Sequence, residues 1–381
     1  MASFRKRGCT CQKKKKCNCG ATWEFRINVI DPATGKRHQP GGSGYKTKPE
    51  AEKAAAEMLT QYNKGDLSAS AKIENVESFM KKYLDNVLKN EIELQTYEGK
   101  IAIMENHILP HLGKIGLQKL TPMQVQNFIN SLMAKNLSAG TIINIMRLLN
   151  QTLNKAVEWG YVVKNVASLV SKPTYKVKKF SVWTKDQFEY FLKKSNSSRV
   201  YPFYLIALTS GMRPGEITAL SWDHINFRKS TIRVERTTVW TKEKGIFIKE
   251  TPKNDASRRT IAIPQTTVNF LRELKVSQEP NELNLIIHGR KGPIMYNSVL
   301  NQIMKEDVSN TGLPMITPHD LRHTHATYLL SPPPFGLAQG LKAVSERLGH
   351  AKTSTTLNTY THVLPNMQES LAEQLDQALN L

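Results

Sequence analysis

The sequence predicts a multidomain α+β protein. It has a small N-terminal β-sheet plus helix, then an all-α domain, then a mainly α domain with a small antiparallel β-sheet, at 1–65, 70–170 and 178–381. Three observations carry this. Trp23-Glu-Phe25-Arg-Ile27-Asn-Val29 alternates apolar and polar, the period of a half-buried strand. Residues 72–169 hold apolar side chains at helical spacing, and strand-like stretches at 231–240 and 245–263 interrupt a further helical region. A chain of 381 residues can bury a core in each of two or three domains.

Composition narrows the partners. Lys and Arg number 53 against 32 Asp and Glu, a formal charge of +21, with a pI near 9.7. That excess points to a polyanion, nucleic acid before membrane, since no apolar run approaches a spanning helix. The N-terminus is basic but lacks the apolar region of a signal peptide, so a cytosolic protein with reduced cysteines is expected.

In the first domain, Cys9, Cys11, Cys17 and Cys19 flank Lys13, Lys14, Lys15 and Lys16. Two CxC pairs can hold zinc through four thiolates whose pKa values the lysines lower, although zinc pairs ordinarily enclose two to four residues. A metal-free hairpin with free thiols is the alternative. Residues 31–37 form a turn, 37–45 return as a second strand, and 48–63 form a helix with Ala51, Ala54, Ala55, Met58, Leu59 and Tyr62 inward. A small sheet with basic residues such as Arg26 on its strands can lay a ribbon in a DNA groove. Residues 65–70 read as a linker.

The second domain reads as four helices. Val76, Phe79, Tyr83, Leu84 and Leu88 share a stripe, as do Tyr97, Ile101, Met104 and Ile108, and residues 110–116 are expected to break the run. Thr121-Pro122 starts a third helix, and Ser138 caps a fourth that ends at Trp159-Gly160. Nothing here offers catalytic chemistry, so this is a binding module. Lys176, Lys178 and Lys179 make the following connector basic enough to track a DNA backbone.

The third domain opens with the capping box Thr184-Lys-Asp-Gln187, followed by a nearly continuous apolar helix over 200–210. Gly211 ends that helix and Pro214 starts another, which leaves Arg213 at a helix start beside Glu216. An arginine held there is poorly placed for casual solvation, which favours a positioned anion contact. The strand stretches read as one small sheet, with Lys253 in the turn before its last strand. Thr317-Pro318 starts a helix that places His319 and Arg322 on one face near its positive end, a good phosphate site. His350 follows a glycine, and Tyr360 comes ten residues later. Arginine and histidines around a tyrosine suggest phosphoryl transfer with the phenol as nucleophile.

Taken in order, Arg213 in Thr-Ser-Gly-Met-Arg-Pro-Gly-Glu, Lys253 in Thr-Pro-Lys-Asn, His319-x-x-Arg322, Gly349-His350 and Tyr360 resemble the tyrosine recombinases. The chain looks most like phage and integrative-element integrases, and the resemblance covers essentially its whole length. It implies an arm-site-binding sheet domain, a helical core-binding domain and a catalytic domain. It also implies a site-specific recombinase that integrates or excises a mobile element without metal or ATP. Arg213 and Arg322 would clamp the non-bridging oxygens of a phosphorane. His319 and His350 would donate hydrogen bonds and manage the tyrosine proton. Tyr360 would form a 3′-phosphotyrosyl link, Lys253 would protonate the leaving 5′-oxygen, and Glu216 would support the set.

Implied partners are double-stranded DNA at core and arm attachment sites, a homotetramer, an excisionase and a host DNA-bending protein, in a bacterial cytoplasm at the nucleoid. The acidic helix after Tyr360, with Met367, Leu371, Leu375 and Leu379, would pack on a neighbouring protomer. The proline-rich stretch 331–340 looks longer than the family's turn and is expected to leave His350 in place. Two other readings use the same residues: a type IB topoisomerase-like relaxing enzyme and a non-catalytic DNA-binding regulator. The basic N-terminal domain argues against the first, and the filled catalytic positions argue against the second.

Overall fold

The computed structural model describes residues 2–8, 21–30, 37–63, 74–174, 181–250, 258–290, 292–331, 336–360, 376 and 379. The chain divides into two compact units, Met1–Lys176 and Val177–Leu381. Among the described residues no helix is long and apolar enough to cross a membrane.

The first unit holds two separate cores. In one, β1 (Ala2–Lys6), β2 (Trp23–Ile27) and β5 (Gly41–Tyr45) form an antiparallel sheet in the order β1-β2-β5. The short pair β3 (Val29–Ile30) and β4 (Arg37–His38) extends beside it. Helix α1 (Lys48–Asn63) closes one face, with Ala51 and Ala55 packed on Phe25 and Ile27. Alternation put the apolar residues of β2 inward and left Arg26 exposed, as expected of a one-sided sheet. Two details differ from the sequence reading. Strand β1 was not foreseen, because a short run of mixed basic and small residues carries little β signal. Leu59, expected inward, is 38% exposed, at the edge of the stripe in which Ala51, Ala54, Ala55 and Met58 face the sheet. The four cysteines, Lys13 to Lys16 and the linker lie outside the described residues.

The second core is all helical. Helix α2 (Val76–Tyr83) passes through a π-segment, Leu84–Leu88, into α3 (Lys89–Glu91). Helix α4 (Leu94–Ile103) passes through another, Met104–Ile108, into α5 (Leu109–Leu112). Here the expected break at residue 110 is corrected, because the helix continues to Leu112. Pro110 lacks an N–H and its ring crowds the preceding turn, and the wider π-turn just before it gives the room. Helices α6 (Pro122–Ala134) and α7 (Ala139–Glu158) start at the foreseen caps, Thr121 with Gln124 as a capping box and Ser138 accepting from the Thr141 N–H. Gly160 ends α7 at φ +74°.

The second unit surrounds α9 (Tyr201–Ser210), seven of whose ten residues are buried, so it reads as an apolar rod rather than an amphipathic helix. Helix α8 (Lys185–Lys194) precedes it behind the Thr184–Gln187 capping box, and α10 (Pro214–Thr218) follows the left-handed turn at Gly211. The single sheet expected at 231–263 is instead two. Strands β6 (Ile225–Asn226), β7 (Thr231–Val234) and β10 (Arg259–Ala262) pair in the order β10-β7-β6. Strands β8 (Thr237–Thr241) and β9 (Gly245–Lys249) form a separate hairpin. Charged Glu235 and Arg236 separate β7 from β8, and β8 packs on α10, where Thr218 and Thr238 hydroxyls meet at 2.8 Å. Helices α11 (Gln265–Ser277) and α12 (Asn297–Ser309) add Val268, Leu271, Leu300, Met304 and Val308 to the core. Helices α13 (Pro318–Leu330), α14 (Leu341–Leu348) and α15 (Thr353–Tyr360) complete the unit. A smaller cluster of Ala326, Leu330, Val344, Leu348 and Tyr360 joins them. The described part of the 331–340 stretch folds back on α13, through Leu337 N to Tyr328 O and Gln339 N to Leu329 O.

Candidate active site

Two helix ends create the arginine positions. Gly211 ends α9 at φ +68°, a conformation other residues adopt at a cost. Its carbonyl accepts from Arg322 Nη1 at 2.7 Å. Arg213 caps α10, and Glu216 returns a carboxylate oxygen to its backbone N–H at 2.9 Å. At the far side, α14 ends at Gly349, also left-handed at φ +68°. Two consecutive carbonyls there hold the two arginines: Leu348 O accepts from Arg322 Nη2 at 2.8 Å and Gly349 O from Arg213 Nη2 at 3.1 Å. Burial lowers Arg322 to about 9, still protonated at neutral pH, and Arg213 lowers it in the same direction.

Behind them lies a second pair of arginines that the sequence reading missed. Glu216, 6% exposed, bonds Arg213 Nη1 at 2.8 Å and takes both Arg259 Nη1 at 3.2 Å and Nη2 at 2.8 Å. Burial opposes its charge, yet Arg259 and Arg213 outweigh that and hold the carboxyl below the usual range. Arg259 Nε also donates to Arg347 O at 2.8 Å, and Arg347 in turn donates to Thr209 O at 2.7 Å and Ala262 O at 3.0 Å. A signal for Arg259 existed: it shares a strand face with Ile261 and Ile263, which puts an arginine on the buried side of β10.

The histidines divide by partner. His350 accepts from Arg322 at Nε2 (2.9 Å), so its proton sits on Nδ1 and is donated to Thr356 Oγ1 at 2.7 Å. Burial first, then Arg322, Arg213 and others, push it down to about 4, so this imidazole is neutral. Thr356 lies one turn before Tyr360, so His350 ties α15 to Arg322. His319 stands at the start of α13, at the rim of the site, its pKa lowered first by partial desolvation of its ring and then by Arg322. His323, one turn further on, was not assigned from sequence. Its Nδ1 lies 2.9 Å from the Tyr360 hydroxyl, and its ring meets His319 edge-on with centroids 4.8 Å apart.

Tyr360 is 1% exposed, and burial pushes its phenol up to about 12, while Arg322 and Arg213 pull the other way. Arg213, Glu216, Arg322, His350 and Tyr360 are thus brought together, with His319 at the rim. Lys253, Lys176, Lys178 and Lys179 lie outside the described residues. Arg26 is exposed on β2 of the other unit.

Two anchored cations, imidazoles and a buried phenol are groups that phosphoryl transfer to a tyrosine would use. Residues 182–367 match the phage integrase family, 75–133 the phage integrase N-terminal SAM-like domain, and 11–62 an arm DNA-binding domain. The ICEBs1 integrase of Bacillus subtilis is 27% identical over 373 residues, covering 93% of this chain and 98% of the relative. An integrase of Staphylococcus phage L54a is 32% identical over 181 residues, 45% of this chain and 49% of its own. The Tn1549 transposon integrase, solved in complex with a circular intermediate DNA, superposes with a TM-score of 0.69 at 21% identity, over 79% of this chain and 99% of that one. A lambda integrase tetramer bound to a Holliday junction gives 0.57 at 17%, over 89% and 95%. These two speak for the fold. The chain belongs to the tyrosine recombinases of the phage integrase family. Its activity is site-specific DNA recombination, which in this family needs no catalytic cofactor.

Proposed function

We propose that Arg213, Lys253, His319, Arg322, His350 and Tyr360 form the strand-exchange machinery of an integrase that inserts and excises a mobile element. The observation that carries this is the pair of consecutive carbonyls, Leu348 O and Gly349 O, that fix both arginines at one helix end. Two guanidinium groups so held stabilise the two non-bridging oxygens of a phosphorane with no reorganisation cost at the moment of reaction. Tyr360 Oη attacks phosphorus and forms the 3′-phosphotyrosyl bond. The P–O5′ bond breaks, and Lys253 supplies the proton that the 5′-oxygen takes. Glu216 holds Arg213 in register.

In this reading, 1–65 binds arm sites, 70–170 clamps the core site and 178–381 performs the chemistry in a homotetramer on DNA, within the bacterial cytoplasm at the nucleoid. Lys13 to Lys16, Arg26, Lys176, Lys178 and Lys179 contact phosphates. The segment after Tyr360 reaches a neighbouring protomer, and an excisionase and a host DNA-bending protein set direction. Zinc at Cys9, Cys11, Cys17 and Cys19 is tested separately by metal analysis of the purified chain. One equivalent lost on cysteine substitution supports it, and none removes it.

The deciding experiment uses a nicked duplex carrying the element's attachment site, with a chelator present. Wild type is expected to form a denaturation-resistant adduct that Tyr360→Phe does not form. An adduct surviving that substitution moves the nucleophile elsewhere. Site binding with no adduct in wild type points to a regulator, and an adduct with relaxation but no strand exchange points to a topoisomerase.

A further inference from the structure

The assignments above leave the immediate acceptor of the tyrosine proton to be named. Both nitrogens of His350 are committed, one accepting from Arg322 and one donating to Thr356. The His319 ring meets His323 with centroids 4.8 Å apart, and His323 in turn meets Tyr360 at 5.6 Å. His323 is in direct contact with the nucleophile, at 2.9 Å from Nδ1 to Oη. Three rings of decreasing exposure follow one another: His319 exposed, His323 half-buried, Tyr360 buried. His319 and His323 are one helical turn apart, so they share a face of α13 and form a line from solvent to the phenol.

We propose that His323 is a catalytic residue, the immediate acceptor of the Tyr360 proton during cleavage and its donor during religation. This rests on the tyrosine mechanism proposed above and adds an assignment to it. The phenol is a stronger acid than a neutral imidazole N–H, so Tyr360 donates and His323 Nδ1 accepts, with the imidazole proton on Nε2. As Oη bonds to phosphorus, its proton passes to Nδ1 and gives an imidazolium. The P–O5′ bond breaks and the 5′-oxygen takes its proton from Lys253. On religation an incoming 5′-hydroxyl attacks and gives its proton back to Lys253, the P–Oη bond breaks, and His323 returns its proton to the departing phenolate. The balance closes without any other reactant. The same buried hydroxyl is costly to ionise by itself, which is why a base in contact matters.

The groups facing His323 are His319 and Arg322 on its own helix, Tyr360 on α15 and His350 beyond α14. The test is single-turnover adduct formation on the nicked duplex across pH, with wild type, His323→Asn and His323→Gln. Asparagine can keep a hydrogen bond at the Nδ1 position but cannot take a proton. Cleavage is expected to fall by about 10²-fold or more in both variants, the general-base range. The acid limb of the wild-type pH–rate profile, where protonated imidazole cannot accept, is expected to disappear with it. A fluorotyrosine at position 360, a more acidic phenol, is expected to restore much of the rate in His323→Asn. That rescue separates a proton role from a purely structural one.

Variants with the wild-type rate and profile overturn the proposal. So do variants that cleave faster, which would make His323 a restraint on the tyrosine, and so does a slow His323→Asn that fluorotyrosine fails to rescue. If wild type forms no adduct, or Tyr360→Phe still forms one, the tyrosine mechanism itself falls, a different result from any of these.

Discussion

Helix α13 carries histidines on two faces, and comparing them shows what makes one a functional group and the other a structural one. His323 and His325 are two residues apart, roughly 200° around the helix. His325 turns into the scaffold, where its Nδ1–H donates to Leu208 O at 2.7 Å and its Nε2 accepts from Arg347 Nε at 3.0 Å. It is 6% exposed and pushed down to about 3, by burial first and then by Arg347. His323 turns to Tyr360 and stays half-buried. The residue type is the same. One imidazole is saturated with fixed partners, whereas the other meets a hydroxyl that has a proton to lose. Arg322, between the two, is tied to both walls, Gly211 O on one side and Leu348 O and His350 on the other.

That position makes Arg322 the largest lever on the comparison. Arg322→Ala is expected to lower single-turnover cleavage by about 10²–10³-fold or more, the usual loss of a transition-state charge donor. Site affinity should change far less. Arg322→Lys should recover little, since an ammonium cannot span three acceptors in fixed directions. Near-wild-type cleavage by the alanine variant would remove Arg322 from the chemistry and leave it a structural tie.

The scaffold side is probed by Arg259, whose side chain is 7% exposed. Arg259→Met leaves Glu216 buried with Arg213 as its remaining arginine partner. Breaking a buried pair in this way costs about 3–5 kcal/mol, read as the denaturation midpoint of the catalytic unit in the full chain. Adding Glu216→Gln should return a large part of that loss, because the buried carboxylate that has lost its two Arg259 bonds goes with it. If the double variant is no more stable than the single one, the carboxylate is not the source of the cost.

Much of this was legible in the sequence, for reasons that differ by residue. Caps and prolines at Thr184, Thr317, Pro214 and Pro318 fixed where helices start, and so put Arg213 and His319 near helix ends. The polar pattern of the recombinases then supplied the order of Arg213, Arg322, His350 and Tyr360. Hidden from sequence were contacts that depend on long-range closure. Arg259 meets Glu216 across 43 positions, and Arg347 meets Thr209 across 138. His323 was in view beside Arg322, but which face of α13 would meet Tyr360 is decided by the packing of α15. The division of the expected sheet into two came from a charged break, Glu235-Arg236, whose strand-ending effect is weak in isolation.

The pH dependence of stability separates the two faces further. Unfolded, an imidazole titrates near its ordinary 6.5, and folded His325 does so near 3. Between those values the unfolded chain binds the extra proton, so this stabilisation is complete above 6.5 and is lost as pH falls toward 3. His350, at about 4, and His319 act in the same direction. One such group contributes a slope of up to about 1.4 kcal/mol per pH unit. Stability measured from pH 7 to 4 should therefore fall less steeply in His325→Gln than in wild type, whatever its absolute stability. An unchanged slope would mean that His325 is protonated in the fold, against the donor role of Arg347.

The smallest effect is expected at Thr356, and it is the finest test of whether the site face is tuned or only assembled. Thr356 is fully buried and takes the His350 Nδ1 proton at 2.7 Å. Thr356→Val keeps the shape and removes the acceptor, leaving that N–H unpaired at a cost of about 1 kcal/mol. The imidazole can avoid the cost by moving its proton to Nε2, but Nε2 is where Arg322 donates, so one bond is lost either way. Cleavage should fall about fivefold by the same energy, while Thr356→Ser, which keeps the hydroxyl, should stay near wild type. A Thr356→Val rate equal to wild type would show that His350 needs only its contact with Arg322. A serine variant as slow as valine would show that the methyl, and hence the packing of α15, matters more than the proton.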